Sequence, residues 1–260
     1  MSTQGWKQAL ATRLAGKALS GILTVWAVAT LVFLAIHLLP GDPVSAILGE
    51  DAPLDARIEL RARLFLDRPL HEQYGRFLGG LASGEMGTSF SRPGRSVGSL
   101  LSEAFPHTIA LALATMILAL GLGIPAGEGG AGTRGRAVSR ILGAGSLVGL
   151  AIPNIWHGPV LIVVFSIWLG VTPLPGEDTG GIASLILPSI TLGTALMAIL
   201  SRLTRSGMEG ALAAPYMRTA SAKGVGRGRA VIAHALPNAL LPVVSVGGLQ
   251  LGALLSGTVI

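Results

Sequence analysis

Five apolar runs constrain this chain more than any other feature. They cover 14–39, 107–126, 139–170, 182–203 and 239–260. Each reaches the roughly 20 mainly apolar residues that a helix needs to cross the hydrocarbon core of a bilayer. A chain in lipid must satisfy its own backbone hydrogen bonds, so runs of this kind fold as helices. Composition agrees. Half of the residues are hydrophobic, 12% are charged and the mean hydropathy is +0.65, whereas soluble domains carry about 25% charged residues. The expected fold class is all-α, a polytopic helical membrane protein with five spans and a partly helical outer segment. The third run is interrupted at Pro153, Asn154 and His157; two full spans would need more residues, which leaves one long kinked helix or a helix with a re-entrant break, and we read it as one kinked span.

The distribution of charge orients the spans. With the N-terminus inside, the inner segments hold twelve cations, from Lys7, Arg13 and Lys17 through Arg134, Arg136 and Arg140 to the group between Arg202 and Arg229. Only Glu128 and Glu209 oppose them. The outer segments hold seven arginines against eleven acids, and the loop with Glu177 and Asp178 has no cation. This is the positive-inside pattern, so the net charge of +6 is a topology signal and not a footprint for nucleic acid. The first run follows a basic start but is too long for a signal-peptide core and lacks a small-x-small cleavage site, so it is expected to stay as the first span. The organisation expected is a cytoplasmic N-terminus at 1–13, a first span at 14–39, an outer segment at 40–106 and a membrane core at 107–260. That core carries an inner loop at 205–238. In the outer segment, 55–65 and 69–81 have helical spacing, and Gly84, Gly87, Pro93 and Gly94 mark turns.

Several functions are disfavoured by what the chain lacks. There is no cysteine, which removes disulfides, thiol catalysis and iron–sulfur clusters. Apart from Lys17, Arg140 and Arg202, each near an end, the five runs hold no Asp, Glu, Lys or Arg. Ion-coupled carriers and intramembrane aspartyl proteases need such groups inside the membrane. Ser146 and Ser166 have no base in a pattern that would make either a nucleophile. The only lysines are Lys7, Lys17 and Lys223, so no Gly-x4-Gly-Lys phosphate loop exists. The five histidines, His37, His71, His107, His157 and His234, are scattered and form no ligand pair, and no metal site is expected. Asn154, Trp156, His157 and Gln250 lie inside runs. They fit either a lined pathway or hydrogen bonds between helices. The spacings Gly145/Gly149 and Gly248/Gly252 suggest close helix packing.

The inner loop is the most informative stretch. It reads Tyr216-Met217-Arg218-Thr219-Ala220-Ser221-Ala222-Lys223-Gly224, then reaches His234-Ala235-Leu236-Pro237-Asn238. Residues 211–223 can form a short helix with Pro215 near its start, stopped by Gly224. Such a helix, apolar on one side and basic on the other, suits docking to a partner.

The loop resembles the "EAA" loop of permease subunits from binding-protein-dependent ABC importers. Ala220, Gly224, Leu236 and Pro237 fall in register with its marks, while Arg218, Thr219 and His234 stand where Glu, Ala and Ile are usual. Arg-Thr-Ala-x-Ala-Lys-Gly followed by His-Ala-x-x-Asn-Ala is similar to the peptide and nickel branch. So are Leu38-Leu39-Pro40-Gly41-Asp42-Pro43, Leu66-Asp67-Arg68-Pro69-Leu70 with Gln73-Tyr74, and Gly84-Glu85-Met86-Gly87-Thr88-Ser89. Leu185-Ile186-Leu187-Pro188 and Ser201-Arg202-Leu203-Thr204-Arg205 extend the match to the fourth run.

The resemblance implies a multi-pass inner-membrane subunit without enzymatic activity. It would work with a second homologous permease, two ATPase subunits that bind the ATP and Mg, and an external solute-binding protein. The chain itself would need no cofactor. Tyr216 to Gly224 would be the coupling helix, with Gly224 its exit turn and Arg218 and Lys223 its candidate ATPase contacts. The solute would be a di- or oligopeptide, with nickel or another small solute as the alternative. A non-transporting membrane adaptor or sensor is the second alternative. The resemblance also implies a further outer segment and a sixth span beyond Ile260, so the sequence is read as a fragment.

Overall fold

A computed structural model describes residues 3–38, 41–49, 51–89, 92, 94–133, 136–174 and 181–257. The readings made for Leu39, Pro40, Pro93, Arg134, Glu177, Asp178 and 258–260 lie outside them, as do the side chains of Lys7 and Arg136. The described residues are helical apart from turns and one isolated antiparallel bridge between Thr88 and Ser96. The all-α class is therefore the observed one. The chain divides into two compact units, 1–102 and 103–260.

In the first unit, α1 (Thr3–Leu38) is one long apolar helix. Trp26, Ile22 and Leu31 project from it uncovered, which suits a helix that faces lipid or other helices. Among its described side chains the one that is buried is Phe33. Phe33 stacks with His37, Tyr74 and Phe77 at centroid distances of 4.2, 5.2 and 5.5 Å. Thr30 Oγ1 lies 2.6 Å from Tyr74 Oη, and His37 Nε2 lies 3.1 Å from Gln73 Oε1. These contacts seat α4 (Leu70–Ser83) on α1.

Between them lie α2 (Pro43–Leu48) and α3 (Leu54–Arg63). Asp42 caps α2, accepting from Val44 N at 3.3 Å, Ser45 Oγ at 3.2 Å and Arg61 Nη2 at 2.7 Å. Partial desolvation pushes the Asp42 carboxyl up, but the bonds from Arg61, Val44 and Ser45 outweigh it and hold it below the ordinary carboxylate value. The expected helices at 55–65 and 69–81 are present with slightly different ends; α2 was not expected, being too short to show a period. Gly84 and Gly87 adopt the left-handed backbone expected of turn glycines.

The second unit is organised around α8 (Ala183–Ala213), which packs against the inner part of α5 (Val97–Glu128), α6 (Arg136–Ala151), α7 (Asn154–Leu161) and α11 (Leu236–Leu255). Its mid-membrane core joins Met116 and Ala119 of α5, Leu196 and Leu200 of α8 and Val243 of α11. Four of the five expected runs are single helices long and apolar enough to cross a membrane. The third differs. Its halves form a bent pair that meets at 100° at Pro153, a broken fifth span or a re-entrant loop. Pro153 has no N–H to bond back into α6, and its ring disfavours helical backbone at the residue before it. The chain restarts when Trp156 N and His157 N both donate to Pro153 O at 3.0 Å. The second half then widens into a π-helical segment, Ile162–Trp168.

Close helix contacts also fall elsewhere than expected. Around Gly145, Gly248 and Gly252 there is open space, and only Gly149 meets a neighbour, α8 at Ala198 and Thr194. The tightest crossings are at other glycines. A Cβ on Gly127 would lie 2.5 Å from Thr204 Cβ, and one on Gly207 would lie 2.7 Å from Ala239 O. Small-residue spacing marks candidates, but facing partners decide which glycines are used.

Candidate functional site

The loop 205–238 builds a small helix on its own apolar floor. Helix α8 runs to Ala213, so 211–213 belong to it and not to the short helix expected at 211–223. Ala214 is extended (φ −70°, ψ 148°), as the residue before a proline prefers. Pro215 then starts α9 (Pro215–Ala222), where its missing N–H costs nothing. Lys223 is the last residue of the turn, and Gly224 follows at φ +77°. Gly224 N donates to Ser221 O at 3.0 Å and Val225 N donates to Ala220 O at 3.1 Å. This crossed pair is the Schellman stop, which needs a left-handed residue at the glycine position.

Helix α9 has two faces. Met217 and Ala220, three residues apart, are buried. Met217 packs with Met208 and Ala211 at the end of α8, with Ala230 of α10 (Arg227–Ala230), and with Val231 and Ala235 of the π-helical segment Val231–Ala235. Ala239 at the start of α11 completes the floor. Tyr216, Arg218, Thr219, Lys223 and Gly224 face outward. Of the remaining expected residues, Leu236 is half-buried against the floor, while His234 and Pro237 are exposed on the chain leading into α11. The structure thus divides the expected residues between an anchored underside and a free upper surface. Met208, Ala230 and Ala239 were missed because alanines and a lone methionine in a helical run carry no signal of what they face.

The exposed surface is one-signed. Arg218, Lys223, Arg227 and Arg229 are exposed, and residues 210–257 hold no Asp or Glu. A positively charged surface of this kind complements an acidic partner.

Helix α9 has a direct route to the transmembrane helices. It sits on α8 and on the segment continuous with α11, and these two cross at Gly207 and Ala239 close enough to exclude a side chain. Displacement of α9 is therefore resisted by packed backbone and not by a soft loop.

The residues proposed for a pathway are more dispersed. Asn154 and Trp156 are exposed on α7 and His157 is half-buried beside them. Gln250 is half-buried on α11. Helix α7 packs on α8, and among the described residues α7 and α11 share no substantial interface. Gln250 thus does not join the other three in one site. Two further polar groups, the hydroxyls of Thr115 and Ser189, are buried without a partner among the described residues. Sequence alone had not separated them from the many other serines and threonines.

Comparison with known proteins gives a consistent result. Residues 119–260 match the family described as binding-protein-dependent transport system inner membrane component. The di/tripeptide transport system permease DppB of Pseudomonas aeruginosa is 39% identical over 267 residues, covering 92% of this chain and 79% of that protein. The glutathione transport system permease GsiC of Salmonella paratyphi A is 39% identical over 246 residues, covering 94% of this chain and 79% of the relative. GsiC of Escherichia coli K12 is 38% identical over the same length and shares.

Proposed function

The chain belongs to the family of binding-protein-dependent transport system inner membrane components, and on that basis we propose that it lines the translocation pathway of an ABC importer for small peptides. Relatives named for di- and tripeptides and for the tripeptide glutathione support peptides as the solute. Helix α9 is the coupling element. Its buried underside, Met217 and Ala220, transmits force to α8 and α11, while Tyr216, Arg218, Thr219 and Lys223 meet an ATPase subunit. ATP is bound there with Mg and hydrolysed, and this chain performs no chemistry on the solute. The assembly further contains a second permease and an external binding protein. The N-terminus is cytoplasmic, following the inner bias of Lys and Arg, and Asn154, Trp156, His157 and Gln250 border the solute's route.

The observation that carries this reading is the two-faced helix α9, anchored beneath and basic above. Reconstitution with the cognate ATPases, partner permease and binding protein tests it by uptake of labelled dipeptide. Competition with tripeptides, longer peptides and nickel then ranks the solutes. The reading predicts ATP-dependent dipeptide uptake that peptides displace and nickel does not. Absence of ATP-dependent peptide uptake by the assembled complex refutes it.

A further inference from the structure

A cavity of about 510 Å³ lies between the first half of α6 and the last turns of α8. Arg140, Arg202 and Arg205 line it, against the single carboxylate of Glu209. Glu209 is occupied with Arg205, whose Nε it receives at 2.9 Å. Among the described residues, no carboxylate pairs with Arg140 or Arg202. Gly143 leaves room for the Arg205 guanidinium, since a Cβ there would stand 2.9 Å from Nη1. The wall behind is polar as well. Buried Ser146 and Ser201 bring their hydroxyls within 3.3 Å of each other, and both line the cavity.

The cavity is not polar throughout. Leu147 lines it too and is 59% exposed, beside the uncovered Val148 of the same helix. Arg140 and Leu147 are two turns apart on one face of α6, about 10 Å along the axis. An anion held at Arg140 and Arg202 would therefore have an exposed apolar track running from it into the membrane. Excess positive charge in a cleft between helices, with donors at its back and an apolar wall beside it, is the chemistry that recognises a phospholipid headgroup.

We propose that this cleft binds the phosphate of an anionic phospholipid, with one acyl chain along Leu147. Ordinary positive-inside anchoring predicts something different, because it needs only cations near the interface and no shaped site. The proposal holds whichever solute is transported.

The test uses the assembled transporter, purified in detergent and stripped of lipid. Thermal stabilisation and native mass spectrometry follow titration with phosphatidylglycerol, phosphatidylcholine or inorganic phosphate. We expect saturable binding of phosphatidylglycerol, little of phosphatidylcholine and none of inorganic phosphate in the millimolar range. The Arg140→Gln/Arg202→Gln double variant should bind phosphatidylglycerol about 30-fold more weakly, from the contribution of two cations at a membrane surface. Gly143→Val, which fills the cleft without changing charge, should weaken it comparably. The Arg13→Gln/Lys17→Gln double variant, an equal loss of charge on the exposed surface of α1, should leave it unchanged. Equal effects of the Arg140→Gln/Arg202→Gln and Arg13→Gln/Lys17→Gln variants, or unaltered binding in both cleft variants, overturn the proposal. Stabilisation by inorganic phosphate matching that by phosphatidylglycerol also overturns it, and assigns the cleft to a free anion.

Discussion

Replacing Gly224 with alanine isolates one physical term in helix α9. A Cβ at Gly224 would meet nothing within 4 Å, and the same is true at Gly226 and Gly228. Packing therefore cannot distinguish the three. Backbone does: Gly224 sits at φ +77°, whereas Gly226 is at φ −60°, ψ 145°, a conformation open to any residue. Holding alanine in the left-handed region costs about 1–2 kcal/mol. The loss of freedom that alanine imposes on the undocked loop returns about 0.4–1 kcal/mol. The net is about 1 kcal/mol, or roughly a fivefold shift towards a frayed end of α9. Hydrogen exchange reads this directly, because the Val225 and Gly224 amides are held by Ala220 O and Ser221 O only while the stop is formed. Gly224→Ala should speed exchange of Val225 by about fivefold and lower peptide uptake, with Gly224→Asn intermediate because asparagine tolerates the left-handed region. Gly226→Ala should do neither. If Gly226→Ala harms uptake as much as Gly224→Ala, or if Gly224→Ala leaves the Val225 amide protected, the backbone argument is wrong.

Three further outcomes are expected. Gly207→Ala forces a methyl into the Ala239 carbonyl and should lower the stability of the purified complex by about 1–3 kcal/mol, read as a drop in Tm, while Gly248→Ala, which faces open space, should not. Met217→Ala removes the buried methionine on the underside of α9 and should cost about 2–5 kcal/mol of local packing, detected as loss of ATPase subunits on co-purification; Met217→Leu, which keeps the volume, should retain them. The lowered Asp42 carboxyl means that its cap is fully present above the ordinary value near 3.8 and is lost as pH falls through the folded value. Limited proteolysis of the outer segment should therefore accelerate only below about pH 4, and Asp42→Asn should remove that pH dependence.

Much of the architecture was legible because the bilayer allows few alternatives. Apolar runs of the right length have to be helices, and four of the five expected ones are single helices. The loop was legible because its marks are backbone requirements: a proline that can only begin a helix and a glycine that can only end one. The break in the third run was legible from Pro153, but its angle was not. That angle, 100°, depends on where α7 finds a surface on α8. The packing glycines were only partly legible for a related reason. Gly149 meets α8, but Gly248 and Gly252 meet nothing within 4 Å among the described residues, and the tight contacts to α8 and α11 fall at Gly127 and Gly207.

By itself, the sequence determined membrane insertion, the helical class, the bias of charge that orients the spans, and the start and stop of α9. Each is a local property, set by what a residue or a short run requires of its own backbone or of lipid. Only the tertiary structure decided which side of α9 is anchored, which glycines carry helix crossings, and that Arg140 shares one cleft with the distant Arg202 and Arg205. Those depend on what stands opposite each residue, and a linear pattern records no neighbours across space.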